Sequence, residues 1–165
     1  MHLYSGFPKL VSSLEGNNKS EILMEALGPN LRKLLKECPN QTFSRTTVYM
    51  ITIQLVSKLK ALHNLGYIHN DLKLENILIG LKDPSKIYLI DFGLSCRYQD
   101  DYGLHSQKEF INKFSGNFMF ASLNSCRGNT KSRRDDIQSL LYIMIYLLNK
   151  NSLPWDKFHK KFKHQ

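Results

Sequence analysis

From His69 to Asn76 the chain reads His-Asn-Asp-Leu-Lys-Leu-Glu-Asn, which sets an acid, a lysine and an asparagine in one short polar loop. Moving a phosphoryl group onto an alcohol calls for three things. A carboxylate must orient the hydroxyl and take its proton, positive charge must stand near the moving group, and oxygen ligands must hold magnesium. Asp71, Lys73 and Asn76 match these needs in that order. Twenty residues after Asp71, directly behind an apolar run, comes Asp91-Phe92-Gly93. A carboxylate at that point suits a hard cation, which prefers oxygen. Phe92 can pack beneath the site and Gly93 lets the backbone turn sharply. Alone, Asp-Phe-Gly carries little information; behind the Asp71 loop and across a strand pair it carries much more.

The elements around these residues must hold them in register. Ile77-Leu78-Ile79 and Ile87-Tyr88-Leu89-Ile90 are apolar runs separated by Gly80, Asp83 and Pro84, and predict two short paired strands joined by a turn. Upstream, Val48, Ile51, Leu55, Leu59 and Leu62 recur at spacings of three and four, which predicts a helix from about Ser44 to Asn64 that Gly66 ends. Lys9-Leu10-Val11 and Glu21–Met24 flank a turn-rich run, predicting two antiparallel strands, and Leu31 to Leu35 predicts a brief helix ended near Pro39. Between Phe92 and Arg134 the periodicity is poor, which predicts a long irregular loop. From Asp135 to Leu148, Ile137, Leu140, Leu141, Met144, Ile145 and Leu148 nearly surround a last helix, which is therefore expected to be buried in a core.

At 165 residues and 42% hydrophobic content, the chain has the material for one domain with a sizeable core. Its net charge of +9 would draw acidic protein segments, nucleic acid or anionic lipid without telling them apart. Lys157, Lys160, Lys161 and Lys163 are read as a solvated tail, and no recognition fold with interleaved aromatics supports a specific nucleic-acid partner. No leader or membrane span is expected, so a cytoplasmic place follows, with the nucleus also open. Cys38, Cys96 and Cys126 lack metal-ligand spacing and read as free thiols. His2, His105, His159 and His164 form no spaced metal cluster, and His63 reads as a surface or core-filling residue of its helix.

With the Asp71 loop and Asp91-Phe92-Gly93 in view, four further segments become informative. Leu27-Gly28-Pro29-Asn30-Leu31, Ile90-Asp91-Phe92-Gly93-Leu94, Phe120-Ala121-Ser122-Leu123-Asn124 and Ser132-Arg133-Arg134-Asp135-Asp136 resemble the casein kinase I branch of the eukaryotic protein kinases. In that branch a Ser-Ile-Asn type segment replaces the usual Ala-Pro-Glu at the end of the activation segment, and here it is Ser122-Leu123-Asn124. Ser152-Leu153-Pro154-Trp155 also fits. The resemblance covers nearly the whole chain. It implies an α+β, protein kinase-like fold, with remnant upper-lobe strands at 1–24, a hinge at 25–30 and an incomplete, mainly helical lower lobe at 31–165.

The resemblance also implies an activity: transfer of the γ-phosphate of ATP, with Mg2+, to serine or threonine hydroxyls of proteins. Met24 would then be the gatekeeper, Glu25, Ala26 and Leu27 the adenine-binding hinge, and Leu78 part of the apolar floor under the base. Asp71 would be the catalytic base, Lys73 would approach the transferred phosphate, and Asn76 and Asp91 would ligate magnesium. His69 would prop the loop, Asp136 would hydrogen-bond its backbone, and Lys113 would recognise acidic or phosphorylated substrate segments.

Departures from the pattern bear on activity. Asn70 stands where the kinase loop has arginine, Leu74 replaces a usual proline and Leu141 a usual glycine. Met119 removes a positive charge from the substrate site, so a weaker preference for acidic segments is expected. No glycine-rich loop precedes Met24, and neither Lys9 nor Lys19 has the context of the phosphate-binding lysine that a helix glutamate holds. Two expectations follow: the chain is a piece of a longer kinase whose upper lobe lies elsewhere, or it is a catalytically inactive scaffold that binds acidic protein segments. In both, apolar surface on the long and central helices should be exposed.

Overall fold

The computed structural model describes residues 6–16, 19–100, 102–106 and 114–156. Strands β1 (Leu10–Glu15) and β2 (Ser20–Met24) form an antiparallel ribbon with an irregularity between Leu10 and Ser12. The amide of Gly16 donates to the carbonyl of Lys19, which closes the turn. Helix α1 (Leu31–Glu37) starts where the Asn30 side chain accepts the amide of Lys33, at 2.9 Å, and stops before Pro39. Such a cap satisfies one of the donors that a helix start leaves open.

Helix α2 (Arg45–Asn64) is the scaffold of the molecule. Ser44 caps it through Thr47, and Gly66, at φ 83°, turns the chain away from its end. All five apolar residues expected on its inner side, Val48 through Leu62, are buried. They pack with Leu31 and Leu35 of α1, with Leu72, Leu74 and Ile77 near the polar loop, and with Leu140, Ile143 and Leu147 downstream. The loop thus sits directly on the core, and burial of these side chains anchors it there.

After α2 come β3 (Tyr67–Ile68), β4 (Ile77–Ile79), β5 (Ile87–Leu89) and β6 (Cys96–Arg97). The hairpin β4–β5 is the strand pair expected from the sequence, although the strand ends at Leu89 rather than Ile90. Strand β3 pairs with β6, a union of 67–68 with 96–97 that brackets both the polar loop at 69–76 and the 91–93 segment and that local patterning does not reveal. The segment expected to be irregular therefore contains a strand and also helix α3 (Leu123–Cys126).

Helix α4 (Arg133–Leu148) begins two residues earlier than expected and is not buried all round. Leu140, Ile143, Tyr146 and Leu147 face the core, while Ile137, Leu141, Ile145 and Leu148 remain exposed. Helix α2 packs along one side of α4, and Phe120 and Trp155 lie against its Tyr146 and Tyr142. Further apolar side chains are exposed on α2, namely Tyr49, Met50, Ile53 and Val56, and on the β1–β2 ribbon. Among the described residues no helix is long and apolar enough to cross a membrane. The result is an α+β architecture with two helices at its centre and three small two-stranded sheets around them.

Candidate active site

One carboxylate organises the polar loop. Asp136, on the first turn of α4 and 2% exposed, accepts the backbone amide of His69 on Oδ2 at 2.8 Å and that of Asn70 on Oδ1 at 2.9 Å. The imidazole Nε2 of His63, at the end of α2, lies 2.8 Å from the same Oδ2. A buried carboxylate is costly unless such donors surround it, and here three converge on it. His63 is thus a buried partner of Asp136 rather than a filler, and only its place near the end of the buried face of α2 could have pointed to that.

His69 is fully buried and its tautomer follows from its neighbours. Its Nε2 donates to the carbonyl of Ile90 at 3.0 Å, and its Nδ1 accepts the amide of Asp71 at 3.2 Å. Burial pulls its pKa below the ordinary histidine value, and outweighs the opposing influence of the Ile90 carbonyl, Asp136, Asp71 and Asp91. The neutral ring therefore ties the polar loop to the strand that leads into Asp91.

Asp71 is buried. Lys73 Nζ donates to Asp71 Oδ2 at 2.5 Å, and this bond raises the lysine pKa above its usual value. Asn76 Nδ2 donates to the Asp71 carbonyl at 2.9 Å and reaches the same Oδ2 at 3.3 Å. Both side-chain contacts fall on Oδ2, so among the described residues Oδ1 of Asp71 is the oxygen left to accept a hydroxyl proton. The amide oxygen of Asn76 is likewise the end of that side chain not spent on Asp71.

Asp91 is exposed, and its backbone takes φ 66°, a left-handed conformation that aspartate tolerates better than most residues. Its Oδ1 accepts weakly from the Gly93 amide, at 3.4 Å. Behind it, the Phe92 ring packs at 5.2 Å from the His69 ring and 5.9 Å from Phe7. Among the described residues no group of three or more His, Cys, Asp and Glu side chains gathers as a metal cage. The donors present are the Asn76 amide oxygen and the Asp91 carboxylate, which fit a magnesium ion that takes its remaining ligands from phosphates and water.

Met24 ends β2 opposite Leu10. Glu25, Ala26 and Leu27 follow and line an open cleft of about 450 Å3, whose other wall is the β4–β5 turn. Gly28 donates to the carbonyl of Ile79 at 2.9 Å, so the segment is pinned to that hairpin by its backbone. A side chain at 28 would stand within 3.0 Å of Ile79, which explains why glycine is needed there. Leu78, half-buried, is not among the residues that line this cleft; it pairs with Tyr88 across the hairpin and also bridges Asn30, just before α1. Lys113 lies outside the described residues.

Two sequence segments singled out for their pattern meet in space. Ser122 Oγ donates to Asp135 Oδ1, and Asn124 Nδ2 reaches the same oxygen at 3.2 Å. The other oxygen of Asp135 accepts the Ser132 amide at 2.7 Å. Ser122-Leu123-Asn124 is therefore clamped to the start of α4, one residue from the carboxylate that organises the polar loop. Glu75, to which the motif assigns no task, accepts Arg32 of α1 at 2.9 Å, and Arg32 also donates to Tyr146 of α4 at 3.0 Å.

A comparison with protein families finds that the family described as protein kinase domain matches residues 7–165. The match spans both functional loops, and the mixture of small sheets with helices is consistent with that fold.

Proposed function

Because this chain belongs to the protein kinase superfamily, we propose that it carries the phosphoryl-transfer half of a casein kinase I-type serine/threonine kinase acting on acidic or phosphorylated protein segments. The observation that carries the reading is the arrangement around Asp71: one carboxylate oxygen held by Lys73 and Asn76, the other left open, in a loop that His69 ties to the strand before an exposed Asp91. The casein kinase I part rests on sequence segments, with the clamp of Ser122 and Asn124 on Asp135 in support.

In this reading Oδ1 of Asp71 accepts the target hydroxyl and takes its proton as the oxygen attacks. Lys73, kept protonated by its bond to Asp71, places positive charge beside the developing negative charge. The Asn76 amide oxygen and Asp91 would hold magnesium, and bound magnesium-ATP supplies the phosphoryl group. Neutral His69 keeps the two loops at a fixed separation through Ile90.

Phosphate transfer from labelled ATP to an acidic serine peptide, by the full chain and by Asp71→Asn, tests this. Loss of at least about a hundredfold in the variant, with unchanged melting, is the expected result. Equal incorporation by both would sink the assignment.

A second reading draws support from the net charge of +9. In it the same surface binds acidic protein segments without transfer. It predicts that peptide binding survives when Asp71 and Asp91 are both changed to alanine; loss of binding in a folded double variant would end it.

A further inference from the structure

Lys131, two residues before the start of α4, is 9% exposed, and its ammonium bonds to no carboxylate among the described residues. Its three donors go instead to neutral oxygens: Asn70 Oδ1 at 2.5 Å, the Ser115 carbonyl at 2.5 Å and Ser115 Oγ at 2.8 Å. The same Nζ stands 5.5 Å from the centre of the Phe114 ring. Burial pulls its pKa below that of an ordinary lysine. The carboxylates of Asp135, Asp136 and Asp71 act on it without a direct bond and do not outweigh that burial, so the neutral oxygens it bonds must compensate for the rest.

What it ties to the start of α4 is two stretches, the polar loop at Asn70 and the segment that holds Ser115. Asn70 lies in the polar loop at φ 68°, donates its own Nδ2 to the carbonyl of Leu94 at 2.9 Å, and is held by Asp136 through its amide. Ser115 belongs to the segment that runs from Asp91-Phe92-Gly93 to the clamp at Ser122. Beside it, Gly116 brings its backbone so close to Asn70 that any side chain there would meet the Asn70 carbonyl at 2.5 Å. Position 70 is also where the kinase pattern has arginine. The charge missing from the loop returns to the same place from a different part of the chain.

We propose that Lys131 is a positioning residue: with Asn70 it forms a brace that holds the 114–122 segment against the catalytic loop without phosphorylation, since every ammonium donor is already filled by the chain's own oxygens. The functional side of this rests on the kinase reading above, because the braced segment forms the platform on which a protein substrate would lie.

Amide hydrogen exchange on the full chain tests the brace without requiring phosphoryl transfer. Lys131→Met should speed exchange across 114–122 by about tenfold while α2 and the β4–β5 hairpin keep their rates. The exchanged pair Asn70→Arg with Lys131→Gln should restore most of the protection, as should Lys131→Arg in part. If Lys131→Met does not fold, Lys131→Gln carries the same comparison. Unchanged exchange at 114–122, or a uniform rise over the whole chain, overturns the proposal. With transfer measured in parallel, a raised peptide KM at unchanged nucleotide affinity is the expected signature. A chain that transfers no phosphate refutes the kinase reading and leaves the brace to be decided by exchange.

Discussion

Gly116 and Asn70 touch backbone to backbone: a Cβ built on the glycine would lie 2.5 Å from the Asn70 carbonyl oxygen, and the glycine itself sits at φ 105°. No L side chain fits either the space or the dihedral. Gly116→Ala should therefore destabilise the chain by about 1–3 kcal/mol through backbone strain. Chemical denaturation compared with a Gly103→Ala control, where φ is also positive but no atom lies within 4 Å, would separate the contact from the dihedral.

Asp136 holds three donors in a buried position, so removing the carboxylate leaves all three without a partner. Asp136→Ala is expected to cost about 3–5 kcal/mol. Asp136→Asn keeps an acceptor but loses the charge, and should cost less. Urea unfolding of the two variants checks the order; equal stability of Asp136→Ala and the parent would show that the loop is held by other means.

His69 supplies a pH dependence whose sign is fixed by its lowered pKa. Below its ordinary value of 6.5 the unfolded chain takes up a proton that the native chain refuses, so stability falls as pH falls through that value. The slope from this one group reaches at most about 1.4 kcal/mol per pH unit. Asp136, Asp71 and Asp91 face the ring and soften the effect, but burial dominates. His69→Gln should flatten the profile between about pH 7 and pH 5.5, measured as melting temperature against pH; an unchanged slope would mean that other groups govern it.

Ile53 projects from the outer face of α2 with 66% of its surface exposed. Ile53→Lys should leave stability within about 0.5 kcal/mol, because the side chain packs on nothing that folding buries. Light scattering should nevertheless show aggregation beginning at a higher protein concentration.

Helix α2, the β4–β5 hairpin and the residues of the two loops are legible in the sequence because each rests on local spacing or on a short motif. The periodic positions Val48 to Leu62 need only a buried side, which α4 and α1 provide. Helix α4 departs from expectation because apolar composition does not say how many neighbours a helix finds. Ile137 and Ile145 cannot be told from Leu140 by residue type, yet both are exposed and Leu140 is buried. Lys131 looks like one more surface lysine in a basic chain, since its partners Asn70 and Ser115 lie 61 and 16 residues away. His63 is hidden in the same way, with its carboxylate 73 residues downstream.

That separation in sequence has a consequence in time. The amide of His69 waits for a carboxylate 67 residues further on. At about 5–20 residues per second, a ribosome takes about 3–13 s to supply it. Throughout that interval the emerging chain already contains Asp71, Lys73 and Asn76 but has no Asp136 to hold their loop. A translation product that stopped short of Asp136 would carry the whole signature of the site and lack its means of assembly.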